Sequence, residues 1–220
     1  MRFLVSIGLV LIAVLGASAR VLHMDDDPCA VHPNLPCIRV PSCDKGDEKI
    51  SEFWENTAAG FVKPLNSTAG VICHDDDGIQ ITLAAAGTEM GSTSTQCMDN
   101  VWEHGAVLES FIAPVSHPKL NPKFYWELDA TPNNVLWAGL IENTKIAGLD
   151  NNCPVCENGA GHLDCTGKAE YNPPIPSVAT KLAKGWANKL TVPWAMFPCA
   201  VRATPYFRAN FYRYGASTST

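Results

Sequence analysis

The chain has 220 residues, of which 46% are hydrophobic and only 17% charged, and it carries a formal net charge of −6. That apolar content suffices for one buried core and excludes a disordered chain, while an acidic balance without a basic cluster argues against nucleic acid or an anionic membrane as partner. Nine cysteines read as a disulfide framework if the chain reaches an oxidising compartment.

The N-terminus points to such a route. "MRFLVSIGLVLIAVLGASA" holds one Arg, an apolar run from Phe3 to Gly16 and the small residues Ala17, Ser18 and Ala19, the layout of a secretory signal peptide. The apolar run is shorter than the roughly 20 residues that span a bilayer, so residues 1–19 are expected to be removed, leaving a secreted, extracellular protein that starts near Arg20. Asn66-Ser67-Thr68 is a glycosylation sequon, expected in an exposed loop.

Residues 20–48 place Cys29, Cys37 and Cys43 among prolines with no apolar periodicity, and they read as an irregular lead-in tied down by disulfides. From residue 49 the chain turns to short apolar runs between turn residues. "GVICHDDDGIQITLAAAG" predicts two strands around Asp75-Asp76-Asp77-Gly78, since Asp-Gly favours a hairpin turn. "AVLESFIAP" predicts another strand, closed by Pro114.

In "FYWELDATPNNVLWAGL", Phe124, Trp126, Leu128 and Ala130 alternate with Tyr125, Glu127 and Asp129, which predicts a half-buried strand with Tyr125 on the outer face. Pro132-Asn133-Asn134 supplies the turn, and Val135 to Ile141 is apolar nearly throughout, as in a strand buried on both faces. "NNCPVCENGAGHLDC" is a cysteine-rich loop, and "SVATKLAKGW" is read as holding a short helix. "NKLTVPWAMF" begins as a strand that Pro193 ends, and "PYFRANFYRY" predicts a terminal strand from Pro205 to Tyr214. Many short strands with turn signals between them predict an all-β antiparallel β-sandwich over residues 49–215, with 216–220 as a flexible tail.

"VWEHGAVLESFIAP", "FYWELDATPNNVLWAGL", "KLTVPW" and "FRANFYR", in that order, resemble the motifs of the family 9 carbohydrate-binding modules and their relatives. The resemblance covers about residues 50–214. It implies a jelly-roll-like sandwich that binds cell-wall polysaccharides or oligosaccharides, as a non-catalytic module linked to carbohydrate catabolism. It also implies a sugar clamped between two Trp faces, with calcium ions supporting loops. Trp102 matches the first Trp; Tyr206 and Phe207 stand near the position of the second.

Sugar rings have apolar C–H faces and polar rims, so a site needs a flat aromatic ring beside carboxylates, amides or guanidinium groups. Trp102, with Asn100, Glu103 and His104 beside it, offers that chemistry. Arg208, Asn210 and Arg213 on the last strand are further candidates, because forked donors suit hydroxyls, and alternation puts Arg208 and Asn210 on one face. Trp54, Trp126, Trp137, Trp186 and Trp194 are read as core.

Cys153, Cys156, His162 and Cys165 imitate a zinc site, but with Cys73, Cys97 and Cys199 these cysteines read more simply as disulfide partners. No cofactor is expected beyond calcium, for which Asp75, Asp76 and Asp77 are the candidates, and Asp25, Asp26 and Asp27 likewise. Two other function classes stay open. One is a secreted interaction protein that kept the sandwich without its sugar site. The other is a glycoside hydrolase using Glu127 and Asp129, which, two apart on one strand face, would lie about 7 Å apart, within the roughly 6.5 to 9.5 Å of inverting carboxylate pairs.

Overall fold

The computed structural model describes residues 10–14, 37–50, 55–57, 60–62, 68–87, 91–96, 99–115, 119–143, 147–150, 175–197 and 206–214. The strands are β1 (Val10–Val14), β2 (Cys37–Val40), β3 (Glu48–Lys49), β4 (Glu55–Thr57), β5 (Gly60–Val62), β6 (Thr68–His74), β7 (Gly78–Ala86) and β8 (Val107–Val115). They continue with β9 (Asn121–Pro122), β10 (Phe124–Ala130), β11 (Leu136–Glu142), β12 (Leu149–Asp150), β13 (Ser177–Leu182), β14 (Gly185–Pro193) and β15 (Tyr206–Tyr214).

Two sheets pack face to face as an all-β sandwich. One has the order β11-β10-β8-β15-β1-β2 and the other β13-β14-β7-β6-β3. Pairing is antiparallel in both except between β1 and β2. Val10–Val14, within the stretch read as a signal peptide, pairs with Tyr206 to Ala209 of β15 on one side and with β2 on the other.

The period of two places the core. Ile79, Ile81, Leu83 and Ala85 of β7 face Val192, Leu190, Asn188 and Trp186 of β14 in register, and all of them are buried. They meet Leu108, Ile112, Trp126, Leu128, Phe207 and Phe211 of the opposite sheet, as strand alternation requires. Trp126 and Trp186 are therefore core. Trp126 donates its indole N–H to the carbonyl of Met196 at 3.1 Å, so its one polar atom is satisfied inside the sandwich. Trp194 packs against the core and donates to the carbonyl of Asp75 at 2.7 Å.

Three local expectations need correction. Residues 177–186 hold no helix; they form the β13–β14 hairpin. Its turn depends on Gly185, at φ 141°, where a Cβ would lie 2.1 Å from the carbonyl oxygen of Ala85. Pro114 does not close its strand, because β8 runs on to Val115. Its pairing with β10 reaches only Ile112, so the end of β8 is paired on the β15 side and a residue without an N–H is tolerated. The lead-in is less irregular than its prolines suggest, since Cys37–Val40 is a strand. A disulfide from Cys43 to Cys73 ties this lead-in to β6, and Cys37 is disulfide-bonded as well.

Candidate functional site

The outer face of the six-stranded sheet, turned away from the sandwich core, carries the polar half of the alternation. Register places Trp137 of β11 beside Asp129 of β10, Asp129 beside Glu109 of β8, and Glu109 beside Tyr212 of β15. The next row runs Gly139, Glu127, Phe111 and Asn210. Strands are about 4.8 Å apart, so each row crosses roughly 14 Å, the breadth of a short oligosaccharide.

Aromatic rings frame these rows. Phe111 meets Tyr212 edge to face at 5.4 Å and Tyr125 at 5.9 Å, which confirms Tyr125 on the outer face. Trp137 is buried, but on this side of the sheet rather than between the sheets, which corrects its reading as sandwich core. It packs with Val101, Val107 and Val135 in a second, smaller apolar cluster. Gly139 gives the ring its place, because a Cβ there would lie 2.4 Å from the Trp137 ring.

Trp102 stands over Trp137. Its ring is 41% exposed, and the two ring centroids lie 5.5 Å apart with planes at 84°. The loop that holds it is pinned at both ends. Ala106 donates its N–H to the carbonyl of Gly91 at 3.0 Å, and Thr93 to that of His104 at 2.8 Å. The Asp99 carboxylate accepts from the Gln96 and Thr95 N–H groups and the Ser94 hydroxyl; these bonds, that of Gln96 first, hold its pKa below the usual carboxyl range. Asn133 ties the loop to the β10–β11 turn through the Ser94 carbonyl. Trp102 sits in a single turn of 3-10 helix, Val101–Glu103, whose buried Val101 anchors it.

The carboxyl groups are the unusual feature. Asp129 is fully buried, Glu109 is 5% exposed, and neither oxygen of Asp129 has a hydrogen-bond donor. Burial first, and then the charge of Glu127, raises the pKa of Glu109; burial, then Glu109 and Glu127, raises that of Asp129. Glu127 is half-buried, and burial pushes its pKa up to about 7. The Tyr212 hydroxyl, pushed up to about 12 chiefly by burial, stays protonated.

Both groups of candidates from the sequence reach this face, from opposite sides. Asn100 and Glu103 are exposed beside Trp102, and His104 is half-buried with its ring against the Thr93 hydroxyl at 3.4 Å. Across the sheet, Tyr206, Arg208 and Asn210 occupy the outer face of β15, paired with Val115, Ala113 and Phe111. Arg208 is nearly buried and donates to the side-chain oxygen of Asn121 at 3.0 Å, while Asn210 donates to the Tyr212 hydroxyl.

Two candidates point elsewhere. Phe207 is 1% exposed between the sheets, against Trp194 and Phe197, so it has no face to offer a ligand. Arg213 alternates to the inner side and donates to the carbonyl of Ala86 at 2.8 Å. Glu109, Phe111, Tyr212 and Trp137 are the residues of this candidate site that sequence reasoning missed. An acid inside the apolar run "AVLESFIAP" was the available signal for Glu109.

Among the described residues, no group of three or more His, Cys, Asp or Glu side chains is arranged to hold a metal ion. Asp75 instead caps its hairpin, accepting from the N–H groups of Asp77 at 3.0 Å and Gly78 at 3.1 Å and from the Gln80 side chain. Asp25, Asp26, Asp27, Cys29, Trp54, Asn66, Cys97, Cys153, Cys156, His162, Cys165 and Cys199 lie outside the described residues. No helix among the described residues is long and apolar enough to cross a membrane.

No protein-family model and no curated protein sequence matches the chain. Among solved structures, a protein from Bacteroides uniformis ATCC 8492 described as a "putative carbohydrate-binding protein" superposes with a TM-score of 0.56. The match covers 80% of this chain and 75% of that one at 13% sequence identity. A likeness at that identity is one of fold.

Proposed function

We propose that the chain is a secreted, non-catalytic carbohydrate-binding protein, allied to the family 9 modules, whose sugar site is the outer face formed by β11, β10, β8 and β15. The observation that carries this reading is Trp102: a 41% exposed indole held against a buried one, at the head of rows of carboxyl, amide and phenol groups. Stacking on Trp102 suits the C–H face of a sugar, and Glu127, Asn210 and Tyr212 suit its hydroxyls. The shared fold with a protein described as binding carbohydrate supports the reading. Cell-wall glycans are the proposed ligand class, and secretion follows from the signal-peptide layout.

A panel of plant cell-wall oligosaccharides, titrated into the purified chain, tests it. Saturable binding to at least one is expected, and no binding at millimolar sugar would leave the interaction-protein reading in its place. Hydrolysis is a second reading, favoured by Glu127, because a carboxyl raised to about 7 is suited to general-acid work. Release of reducing ends that stops in Glu127→Gln would establish it.

A further inference from the structure

We propose that this face selects an amino sugar, a glycan whose free ammonium group docks against Glu127 and Glu109 with Asp129 beside them. The inference rests on the carbohydrate-binding reading and names its ligand class.

Asp129 is the starting point. It is fully buried, both of its oxygens lack a donor, and register sets it directly beside Glu109, which is 5% exposed. Glu127 lies on the same face of the same strand and is only half-buried, so it is the open end of the cluster. Burial and the neighbouring carboxyl charges raise the pKa of Glu109 and of Asp129, and burial raises that of Glu127.

Among the described residues, the groups that flank the cluster supply no cation. β11 offers Trp137 and Gly139, β8 offers Phe111, and β15 offers the phenols of Tyr212 and Tyr214. Arg208 shares the face but pairs with Ala113 and donates to Asn121. The loop brings Glu103 and His104 beside Trp102, and His104 lies against Thr93.

A neutral sugar would leave the cluster in its protonated, uncharged form. An ammonium group brings one positive charge and three N–H donors to a cluster whose buried member, Asp129, has none. In the empty site, protons take the place of the cation, because burial and mutual repulsion favour the neutral carboxyls. Docking an ammonium group therefore expels protons, a signature that stacking alone does not produce.

The test is calorimetric titration of the full chain at mildly acidic pH, where the amines are already protonated, with β-1,4-linked glucosamine oligomers, their N-acetylated counterparts of equal length, and cello-oligosaccharides. The amine form is expected to bind at least about tenfold more tightly than the acetylated one, as for a desolvated charge pair. Its enthalpy should depend on the buffer through proton release. Glu127→Gln should abolish the preference, while Glu48→Gln, at an exposed acid on the other sheet, should keep it. Asp129→Asn provides a second variant if Glu127→Gln does not fold.

Equal or tighter binding of a neutral oligomer, without proton release, would overturn amino-sugar selection and leave carbohydrate binding standing. A preference that survives both Glu127→Gln and Asp129→Asn, or that falls equally in Glu48→Gln, would show only general attraction to an acidic protein and would also overturn it. Binding of no oligomer would remove both readings.

Discussion

Trp102 meets Trp137 edge to face, with 5.5 Å between ring centroids, so the exposed ring takes its position from the buried one. The two residues should fail differently. Truncating a buried aromatic costs about 3 to 5 kcal/mol, against a total stability of roughly 5 to 15 kcal/mol. Trp137→Ala, at a site 8% exposed, should lower the melting temperature sharply. Trp126→Ala should lower it as much or prevent folding, since it also removes the bond to Met196. Thermal melts of both variants check this.

Gly139→Ala probes the site through one methyl group. The new Cβ would stand 2.4 Å from the Trp137 ring, which must then swing off its seat. Overpacking of this kind typically costs about 1 to 3 kcal/mol. The variant should stay folded and lose sugar affinity, as Trp102 loses its support. Circular dichroism with a binding titration measures both effects, and unchanged affinity would separate Trp137 from the site.

Acidity should stabilise this protein. A carboxyl with a higher pKa folded than unfolded binds its proton more tightly in the native state. Its stabilisation is complete below the unfolded value and is lost as pH rises through the folded one. For Glu109, Glu127 and Asp129 that window opens at the ordinary carboxyl range near about 4 and extends through neutral pH, past the value of about 7 for Glu127. The melting temperature should therefore fall between mildly acidic and mildly alkaline buffers. Asp129→Asn should flatten that slope and raise the melting temperature at alkaline pH; a slope left intact would mean that other groups set it.

The Cys43–Cys73 disulfide closes a sequence separation of 30 residues. Constraining an unfolded loop of that length is worth about 3 to 4 kcal/mol in the chain-entropy picture. Cys43→Ser with Cys73→Ser should lower stability by about that amount in denaturant titrations, and reduction of the wild type should lower it by more, since it also opens the Cys37 disulfide.

Strand alternation made much of this legible. Trp126, Leu128 and Ala130 against Tyr125, Glu127 and Asp129 were assignable to inner and outer faces from period alone. The hairpin at Asp75 to Gly78 was readable from Asp-Gly. Pairing was not legible: nothing local says that Glu109 stands beside Asp129, because that register joins strands through the whole sheet. Trp137 was misplaced for a related reason. A strand apolar on both faces does not say which face meets the other sheet, and here the cover over Trp137 is a loop anchored by Val101. The 177–186 segment misled because Ala and Lys favour a helix by propensity, whereas Gly185 and the β14 ladder decide the outcome.

The most direct test of the sugar site is a titration of wild type and Trp102→Ala with the same cell-wall oligosaccharide, alongside melts of each. At 41% exposure the ring contributes little to packing, so the melting temperature should stay within a few degrees while most of the affinity disappears. An unchanged affinity in a folded Trp102→Ala protein would contradict the account and move any sugar site off this face.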